Sequence, residues 1–238
     1  MQLKKGKLIL IPCTLGDSEL SSVLPTDNIN RINSCTTFIV ENLRSARRFL
    51  VKSGIETKID DLHFHLLNKH TAQSEVSLML NAAMDGQNIG LLSEAGCPGV
   101  ADPGSEIVKL AHSKNIQVVP LVGPSSILLA LMASGMNGQN FAFNGYLPKD
   151  KSERLKQIQF LESLSYRQNQ TQIFIETPFR NNHLLEDLCK HCQANTDICI
   201  ATNLSTENEQ IIRDKVKNIK SKKYDLNKKP TIFLIHKY

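Results

Sequence analysis

The sequence predicts an α/β protein of two domains, each built around a mainly parallel sheet. Short apolar runs alternate with amphipathic segments along nearly the whole chain, which is the pattern of repeated strand–helix units. The alternation restarts after Gly123-Pro124, and such a pair is strong punctuation between elements. We therefore predict an N-terminal domain at 1–122 and a C-terminal domain at 123–238, each long enough to bury its own core.

The first domain is predicted from its apolar runs and the break signals between them. We expect strands at 7–12, 36–40, 88–92 and 117–121, and helices at 45–53, 74–85 and 103–114. After Asn88, the run to residue 92 is apolar, as in a strand buried on both faces. Asp102 and Pro103 supply an N-cap and a first-turn proline for the helix that follows.

The second domain continues the same alternation. We expect helices at 125–133, 152–163 and 179–192, a lysine-rich helix from about 208, and strands at 140–145, 171–176, 197–202 and 231–236.

Composition and cysteine usage exclude several classes of protein. The chain is 41% hydrophobic and 21% charged, and no apolar run approaches the ~20 residues of a membrane span. The apolar stretch at 8–12 is too short for a secretory signal, so we expect a cytoplasmic protein with six reduced cysteines. Cys189 and Cys192 have C-x-x-C spacing, but no second ligand pair completes a zinc site, and we predict no metal.

The net charge is +5, and many of the basic residues cluster in two groups, of which the first contains Arg44, Arg47, Arg48 and Lys52. Arg44, Arg47 and Arg48 have helical spacing and can present one face to phosphates. The second group is a lysine cluster made of Lys215, Lys217, Lys220, Lys222, Lys223, Lys228 and Lys229. A solvated helix face is the simpler interpretation of the lysines, and an anionic partner is the alternative.

The loop after strand 88–92 is the best candidate for a ligand site. It carries Gly96, Pro98, Gly99 and Gly104, and in open α/β sheets ligands bind beyond the carboxyl ends of the strands. Glycines let backbone groups approach a ligand closely. The spacing matches neither a dinucleotide fingerprint nor a phosphate-binding P-loop, and the hydrolase motifs G-x-S-x-G and H-E-x-x-H are absent.

The same loop resembles a motif of the tetrapyrrole methylase superfamily. The chain has SEAGCPGVADPG at 93–104 where the superfamily branch of ribosomal RNA small-subunit methyltransferase I, a cytidine 2′-O-methyltransferase, typically has S-D-A-G-x-P-x-x-S-D-P-G. The similarity continues in order with VPLVGPSS at 119–126, FNGYLP at 143–148, FIETPFR at 174–180 and CIATNLS at 199–205.

The sequence departs from the branch pattern at three places around the presumed active cleft. PCTLGD at 12–17 stands where the branch has P-I-G-N-L-x-D. Asn42 replaces the aspartate of A-E-D-T-R, while Glu41 and Arg44 are kept, and Glu94 replaces the aspartate of S-D-A-G. These changes bear on the methyl acceptor more than on the cofactor.

The resemblance implies two α/β domains with S-adenosylmethionine in a cleft between them, and a homodimer. Carried over by motif, the cofactor-binding positions are Pro12, Ser93, Glu94, Ala95, Gly96, Ser125, Ser126, Tyr146, Ala201, Asn203, Leu204, Pro230 and Thr231. Several of them also have a simpler structural explanation, since serines 125 and 126 can be plain N-caps and Pro230 can start a strand.

The expected reaction is methyl transfer to a ribose 2′-hydroxyl of small-subunit ribosomal RNA, as free RNA or within the subunit. Glu41 is the candidate base, although it can also pair with an arginine, and Arg44 and Arg180 are candidate substrate contacts. One alternative keeps the cofactor but methylates a tetrapyrrole or other small molecule. The other alternative is a non-catalytic relative that binds adenosylmethionine or RNA.

Overall fold

The computed structural model describes residues 4–68 and 70–238, and the chain folds as two compact units. The units are Met1–Ser125 and Ser126–Tyr238. The boundary predicted at Gly123-Pro124 lies just before this division. Both units contain alternating strands and helices, so the α/β class is confirmed.

The first unit contains five strands and the helices between them. Its strands are β1 (Lys7–Ile11), β2 (Cys35–Val40), β3 (His63–Leu66), β4 (Asn88–Leu92) and β5 (Gln117–Pro120). Its helices are α1 (Leu20–Val23), α2 (Asn28–Asn33), α3 (Leu43–Lys52), α4 (Gln73–Leu78), α5 (Asn81–Met84) and α6 (Gly104–Ser113), with a 3₁₀ turn at Ile59–Asp61.

All neighbouring strands of the first unit are parallel, as predicted. The order is β3-β2-β4-β1-β5. Side chains of β1 alternate between two cores, because successive residues of a strand face opposite sides of the sheet. Leu8 packs in one buried cluster and Ile9 and Ile11 in the other. Both faces of the sheet are thus covered, which explains why β1 and β4 are apolar after their first residue.

The second unit also contains five strands. Its elements are α7 (Ser126–Ser134), β6 (Phe141–Tyr146), α8 (Lys151–Gln168), β7 (Thr171–Ile175), α9 (Asn181–His191), β8 (Asp197–Thr202), β9 (Gln210–Lys215), α10 (Val216–Ile219) and β10 (Thr231–His236).

The sheet of the second unit is mixed, so the prediction of a mainly parallel sheet is wrong here. In the order β6-β7-β10-β8-β9, only the first pair is parallel, and β10 runs antiparallel to both of its neighbours. The link from β8 to β9 spans only 203–209, which is shorter than the dozen or more residues of a parallel crossover. Antiparallel pairing of β8 with β9 follows from that short connection.

The lysine-rich helix predicted from about 208 is also wrong. The segment forms edge strand β9 and then the short helix α10. Its charged side chains suit an exposed edge, because charge discourages further strand pairing. Arg213 of β9 reaches Asp197 of β8 at 2.8 Å and donates to the carbonyl oxygens of Ser134 and Gly135.

Two other segments of the first unit differ from prediction. The helix expected at 74–85 is two helices, because fully buried Leu80 leaves the helical conformation between them. Strand β3 and helices α1 and α2 were not predicted. Strand β3 is only four residues long and half-exposed, so it lacks the apolar run that marks the other strands.

Aromatic and aliphatic side chains from α8, α9 and the sheet form the core of the second unit. Phe174 and Phe233 stack there at 6.2 Å between ring centroids. Arg154 and Asp187 form an ion pair at 2.8 Å that is almost completely buried. In the described part of the chain, no helix has the length and apolar character needed to cross a membrane.

Candidate functional site

The connections of the first sheet define a switch point between β1 and β4. After β1 the chain crosses β4 to reach β2, whereas after β4 it crosses β1 to reach β5. Neighbouring connections that leave in opposite directions open a crevice outside the carboxyl ends of the two strands, where α/β proteins bind ligands. The glycine loop predicted from sequence lies at this crevice.

Backbone hydrogen bonds join the two loops that follow β1 and β4. The Cys13 N–H donates to the Gly96 carbonyl at 2.9 Å, and the Gly96 N–H donates to the Cys13 carbonyl at 3.1 Å. Gly96 has φ +72°, and a Cβ there would lie 3.2 Å from Leu15 Cδ2. At Gly123 an added Cβ would lie 2.3 Å from Pro12 Cγ. The crevice is therefore lined by backbone that side chains cannot cover without displacing a neighbour.

Two polar side chains hold the glycine loop in shape. Ser93 Oγ donates to the carbonyl oxygens of Ala95 at 3.2 Å and Gly96 at 3.3 Å. Asp102 Oδ1 accepts from the N–H groups of Gly99 and Gly104, both at 2.8 Å. Asp102 thus fixes the loop as well as the start of α6. From its sequence position Asp102 is only a helix cap, and no local signal indicates its contact with Gly99.

Three carboxylates gather beside the loop. Glu41 follows β2, accepts a hydrogen bond from the Glu94 backbone N–H, and lies near Asp102 and the Glu94 carboxylate. Burial, followed by the negative charge of Asp102, raises the pKa of Glu41 above its ordinary value. Burial likewise raises the pKa of Asp102. A carboxylate with a raised pKa is a better proton acceptor near neutral pH, which suits the role predicted for Glu41.

The Glu94 side chain points to α3 rather than into the loop. Its Oε1 accepts a hydrogen bond from Ser45 Oγ at 2.5 Å. Ser45 was not singled out from sequence, because a serine in the first turn of a helix is ordinarily a capping residue.

Cys13 occupies the place where the superfamily branch has isoleucine. The thiol is buried, and burial together with the carboxylates of Glu94 and Glu41 raises its pKa to about 12. It stays protonated and packs as a small apolar group.

Asn42 caps α3 and so keeps one role that an aspartate would have. Its Oδ1 accepts from the N–H groups of Arg44 at 2.9 Å and Ser45 at 3.3 Å. Asparagine and aspartate cap helices about equally well, so the substitution keeps the cap and removes a charge.

The arginines of α3 have the shared, exposed face that their spacing predicts. Arg44, Arg47 and Arg48 are exposed, and the Arg47 guanidinium lies 5.5 Å from the centre of the Phe64 ring. Arg48 and Lys52 line a cleft of about 290 Å³ that also reaches Ser93 and Glu94. Positive charge therefore borders the glycine loop on one side.

The site positions predicted in the second unit lie mostly at one end of its strands, where β6 and β8 end and β10 begins. Tyr146 ends β6, and Asn203 and Leu204 follow β8. Strand β10 begins at Thr231, which pairs with Thr202, while Ile232 pairs with both Ala201 and Ile175. Because β10 is antiparallel to β7 and β8, its amino end lies beside their carboxyl ends. Positions separated by up to 85 residues in sequence are thus brought to one edge.

Individual side chains at this edge differ in their availability. Tyr146 is exposed, whereas Ala201, Leu204 and Thr231 are buried. Asn203 has φ +50°, and its N–H donates to the Pro230 carbonyl at 3.0 Å. This bond ties the loop after β8 to the segment before β10.

The loop after β7 carries the Arg180 predicted as a substrate contact. Its guanidinium pairs with the buried Glu176 carboxylate, and about a third of the Arg180 side chain stays exposed. Both line a pocket of about 180 Å³ with Lys149 and His183. The partner of Arg180 is not predictable from sequence, because spacing i, i+4 indicates a contact only within a helix and these residues lie in a loop.

Asn181 is a further residue that the sequence gave no reason to single out. It is fully buried, and its Nδ2 donates to the Lys229 carbonyl at 2.7 Å and to Thr231 Oγ1 at 3.1 Å. It holds the segment that leads into β10.

Ser126 begins α7, directly after Ser125.

Residues 4–68 and 70–238 contain no group of three His, Cys, Asp or Glu side chains arranged to hold a metal ion. Cys189 and Cys192 are free thiols, and burial raises the pKa of both.

Comparison with known proteins gives the family. Residues 8–220 match the family model of the tetrapyrrole (corrin/porphyrin) methylases. The chain belongs to the tetrapyrrole methylase family. This confirms the resemblance read from the glycine loop and its collinear motifs, and with it the methyltransferase class.

Individual relatives of this tetrapyrrole methylase include ribosomal RNA small subunit methyltransferase I of Bacillus subtilis (strain 168). The two are 32% identical over 214 residues, which is 90% of this chain and 69% of the relative. The protein of the same name from Vibrio cholerae is 30% identical over 72% of this chain, and the match covers 57% of that relative. The relatives are therefore considerably longer than the matched region.

Among solved structures, the methyltransferase CobJ shares the fold. It superposes with a TM-score of 0.65 at 16% identity, over 97% of this chain and 94% of CobJ.

Proposed function

We propose that this tetrapyrrole methylase transfers a methyl group from S-adenosylmethionine to a ribose 2′-hydroxyl of small-subunit ribosomal RNA. The observation that carries the proposal is the 32% identity to a ribosomal RNA small subunit methyltransferase over 90% of the chain. The family match spans residues 8–220 and so includes the loops after β1 and β4, which means that the similarity to the family covers a site as well as a fold.

The crevice suits a ligand held largely by backbone groups. Gly96 is buried, has a positive φ, and leaves no room for a Cβ without moving Leu15. We propose that Pro12, Ser93, Glu94, Ala95 and Gly96 form the first part of the cofactor site. When bound, S-adenosylmethionine supplies an activated methyl group.

The remaining cofactor positions are proposed at two other places in the chain. Ser125 and Ser126 stand at the start of α7. Tyr146, Ala201, Asn203, Leu204, Pro230 and Thr231 stand at or beside the edge of the second sheet where β6 and β8 end and β10 begins. Variants of each group are tested separately by calorimetry with adenosylmethionine, because each is an independent part of the proposal.

We assign Glu41 the removal of the hydroxyl proton. Its raised pKa, its position directly after β2 and its neighbour Glu94 support this role. Methyl transfer to a hydroxyl is an in-line displacement, in which holding the reactants aligned can contribute ~7–11 kcal/mol. Glu41 therefore has two tasks, to orient the hydroxyl and to accept its proton.

The exposed arginines of α3 support an RNA acceptor. Arg48 lines the cleft that reaches the glycine loop, Arg44 and Arg47 are exposed on the same helix, and phosphate contacts position an RNA strand without reading its sequence. We assign Arg44 and the partly exposed Arg180 to substrate binding. The small-molecule acceptor remains the second candidate, since the family model is named for tetrapyrrole substrates.

The deciding experiment measures incorporation of labelled methyl groups. Purified protein, labelled adenosylmethionine and small ribosomal subunits lacking the modification should give a labelled 2′-O-methylated nucleoside, identified by mass spectrometry. Label in a tetrapyrrole but not in RNA would favour the second candidate. Cofactor binding without transfer to either would favour the non-catalytic alternative.

A cytoplasmic location and a homodimer complete the proposal. The location follows from an acceptor in the ribosome, and fractionation tests it. Light scattering of the full chain tests the dimer.

A further inference from the structure

Part of the lysine cluster borders a groove on the second unit, and none of the residues assigned to the cofactor lines it. The groove lies between α9 and the segment that contains α10 and continues to Tyr224, and its volume is about 380 Å³. We call it the lysine groove. Leu185, Cys189 and Ile219 form its apolar wall, and Tyr224 lies at one side.

The charge of the lysine groove is strongly positive. The side chains that line it include four lysines and one carboxylate, namely Lys190, Lys220, Lys222, Lys223 and Glu186. Glu186 lies 3.5 Å from Lys190, and Asp214 lies 3.7 Å from Lys222. Within the described residues, Lys220 and Lys223 have no carboxylate within 4.0 Å, so their charges are available to a ligand.

The apolar side of the groove is recessed. Leu185 and Ile219 are 7% and 1% exposed, so they cannot insert into a lipid bilayer. Tyr224 is half-buried against the core of the second unit, which holds its ring in place. Proteins that bind single-stranded nucleic acids combine a fixed aromatic ring with a cationic rim. Bases stack on the ring, and phosphates bind the lysines.

We propose that the lysine groove binds a single-stranded segment of RNA, with Lys220, Lys222 and Lys223 at the phosphates and a base against Tyr224. The inference rests on the proposed function for the kind of partner, because an RNA acceptor supplies such segments. It adds a docking surface built from residues other than those assigned to methyl transfer.

The first test compares two triple variants in binding a labelled single-stranded RNA oligonucleotide by fluorescence anisotropy. The groove variant is Lys220→Gln with Lys222→Gln and Lys223→Gln, and the control is Lys109→Gln with Lys151→Gln and Lys156→Gln, three exposed helix lysines. We expect the groove variant to weaken binding about tenfold or more and to lower the salt slope by about 2, since each lost phosphate contact removes ~0.7. Equal effects in the two variants would overturn the proposal.

The second test uses the absence of tryptophan from the sequence. Tyr224→Trp introduces a single tryptophan at the groove, and stacking of a base should quench its emission when the RNA is added. Tyr166→Trp, at an exposed position of α8, should not respond. Unchanged Tyr224→Trp emission at saturating RNA, or equal quenching by polyglutamate, would exclude base stacking, and the second result would indicate an acidic peptide as the ligand.

Failure of this inference is distinguishable from failure of the proposed function. Groove variants that bind RNA like the control, while the wild type methylates ribosomal RNA, would remove only the lysine groove. A wild type that binds adenosylmethionine but transfers no methyl group to RNA would instead overturn the proposed acceptor.

Discussion

Replacement of Gly96 by valine tests the glycine loop most directly, and Gly54 provides a matched control. Both glycines have a positive φ, +72° at Gly96 and +77° at Gly54. A side chain in this left-handed region costs about 1–2 kcal/mol, and a β-branched one more. Both variants should therefore lose stability for the same backbone reason.

The two positions differ in the space around them. A Cβ at Gly54 meets nothing within 4 Å, whereas at Gly96 it lies 3.2 Å from Leu15 Cδ2 and 3.5 Å from the Pro124 carbonyl oxygen. Overpacking of this kind adds roughly 1–3 kcal/mol. We expect Gly96→Val to be less stable than Gly54→Val by that amount, yet folded, because domains of this size are stable by about 5–15 kcal/mol.

The decisive readout is cofactor affinity. To relieve the contact with Leu15, the backbone at Gly96 must shift. Because Gly96 and Cys13 are joined by two backbone hydrogen bonds, the shift also moves the loop after β1. If ~1–3 kcal/mol is lost from binding, the Kd for adenosylmethionine rises roughly 5- to 150-fold in Gly96→Val. Gly54→Val should keep the wild-type Kd. Calorimetry measures both, and a folded Gly96→Val that binds like the wild type would refute the assignment of the loop.

Three further predictions concern the carboxylate cluster, the α3 cap and the buried ion pair. Because the pKa of Glu41 is raised in the folded protein, ionisation of this carboxyl lowers the stability as pH rises from the ordinary carboxylate range through that pKa. Glu41→Gln should therefore melt at a higher temperature than the wild type at neutral pH but not at acidic pH. The same variant should lose methyl transfer and keep cofactor binding. In urea unfolding, Asn42→Ala should lose about 0.5–2 kcal/mol of stability and Asn42→Asp should lose little, because aspartate caps a helix as well as asparagine does. Wild-type stability in Asn42→Ala would contradict the capping role. Asp187→Ala should cost about 3–5 kcal/mol because it leaves the Arg154 guanidinium buried and unpaired, whereas exposed Glu186→Ala should cost ~0–1 kcal/mol; similar losses in the two would contradict the burial argument.

Local patterns were sufficient for the strands that are buried on both faces. The predictions at 88–92, 197–202 and 231–236 agree with β4, β8 and β10 at both ends. Each of these strands contains a continuous run of four apolar residues, since each lies inside its sheet. Strand β3 at the edge of the first sheet carries no such run and was missed for the same physical reason.

The glycine loop was also readable from sequence, because its requirement is local. Positive φ at Gly96 and Gly99 calls for glycine whatever the rest of the chain does. The family motifs supplied the remaining candidate positions, and the structure brings most of those in the second unit to one sheet edge.

Tertiary structure alone decided the direction of the second sheet and the electrostatics of the site. The sequence 210–215 has helix-forming and charged residues, but its pairing with β8 makes it a strand. The interactions of Glu41 with Glu94 and Asp102 join two loops that are distant in the chain, and the bond between Asn181 and Thr231 likewise joins distant segments. Sequence fixes what each segment can form, whereas the pKa of a carboxylate depends on which other charges the fold brings within a few ångströms of it.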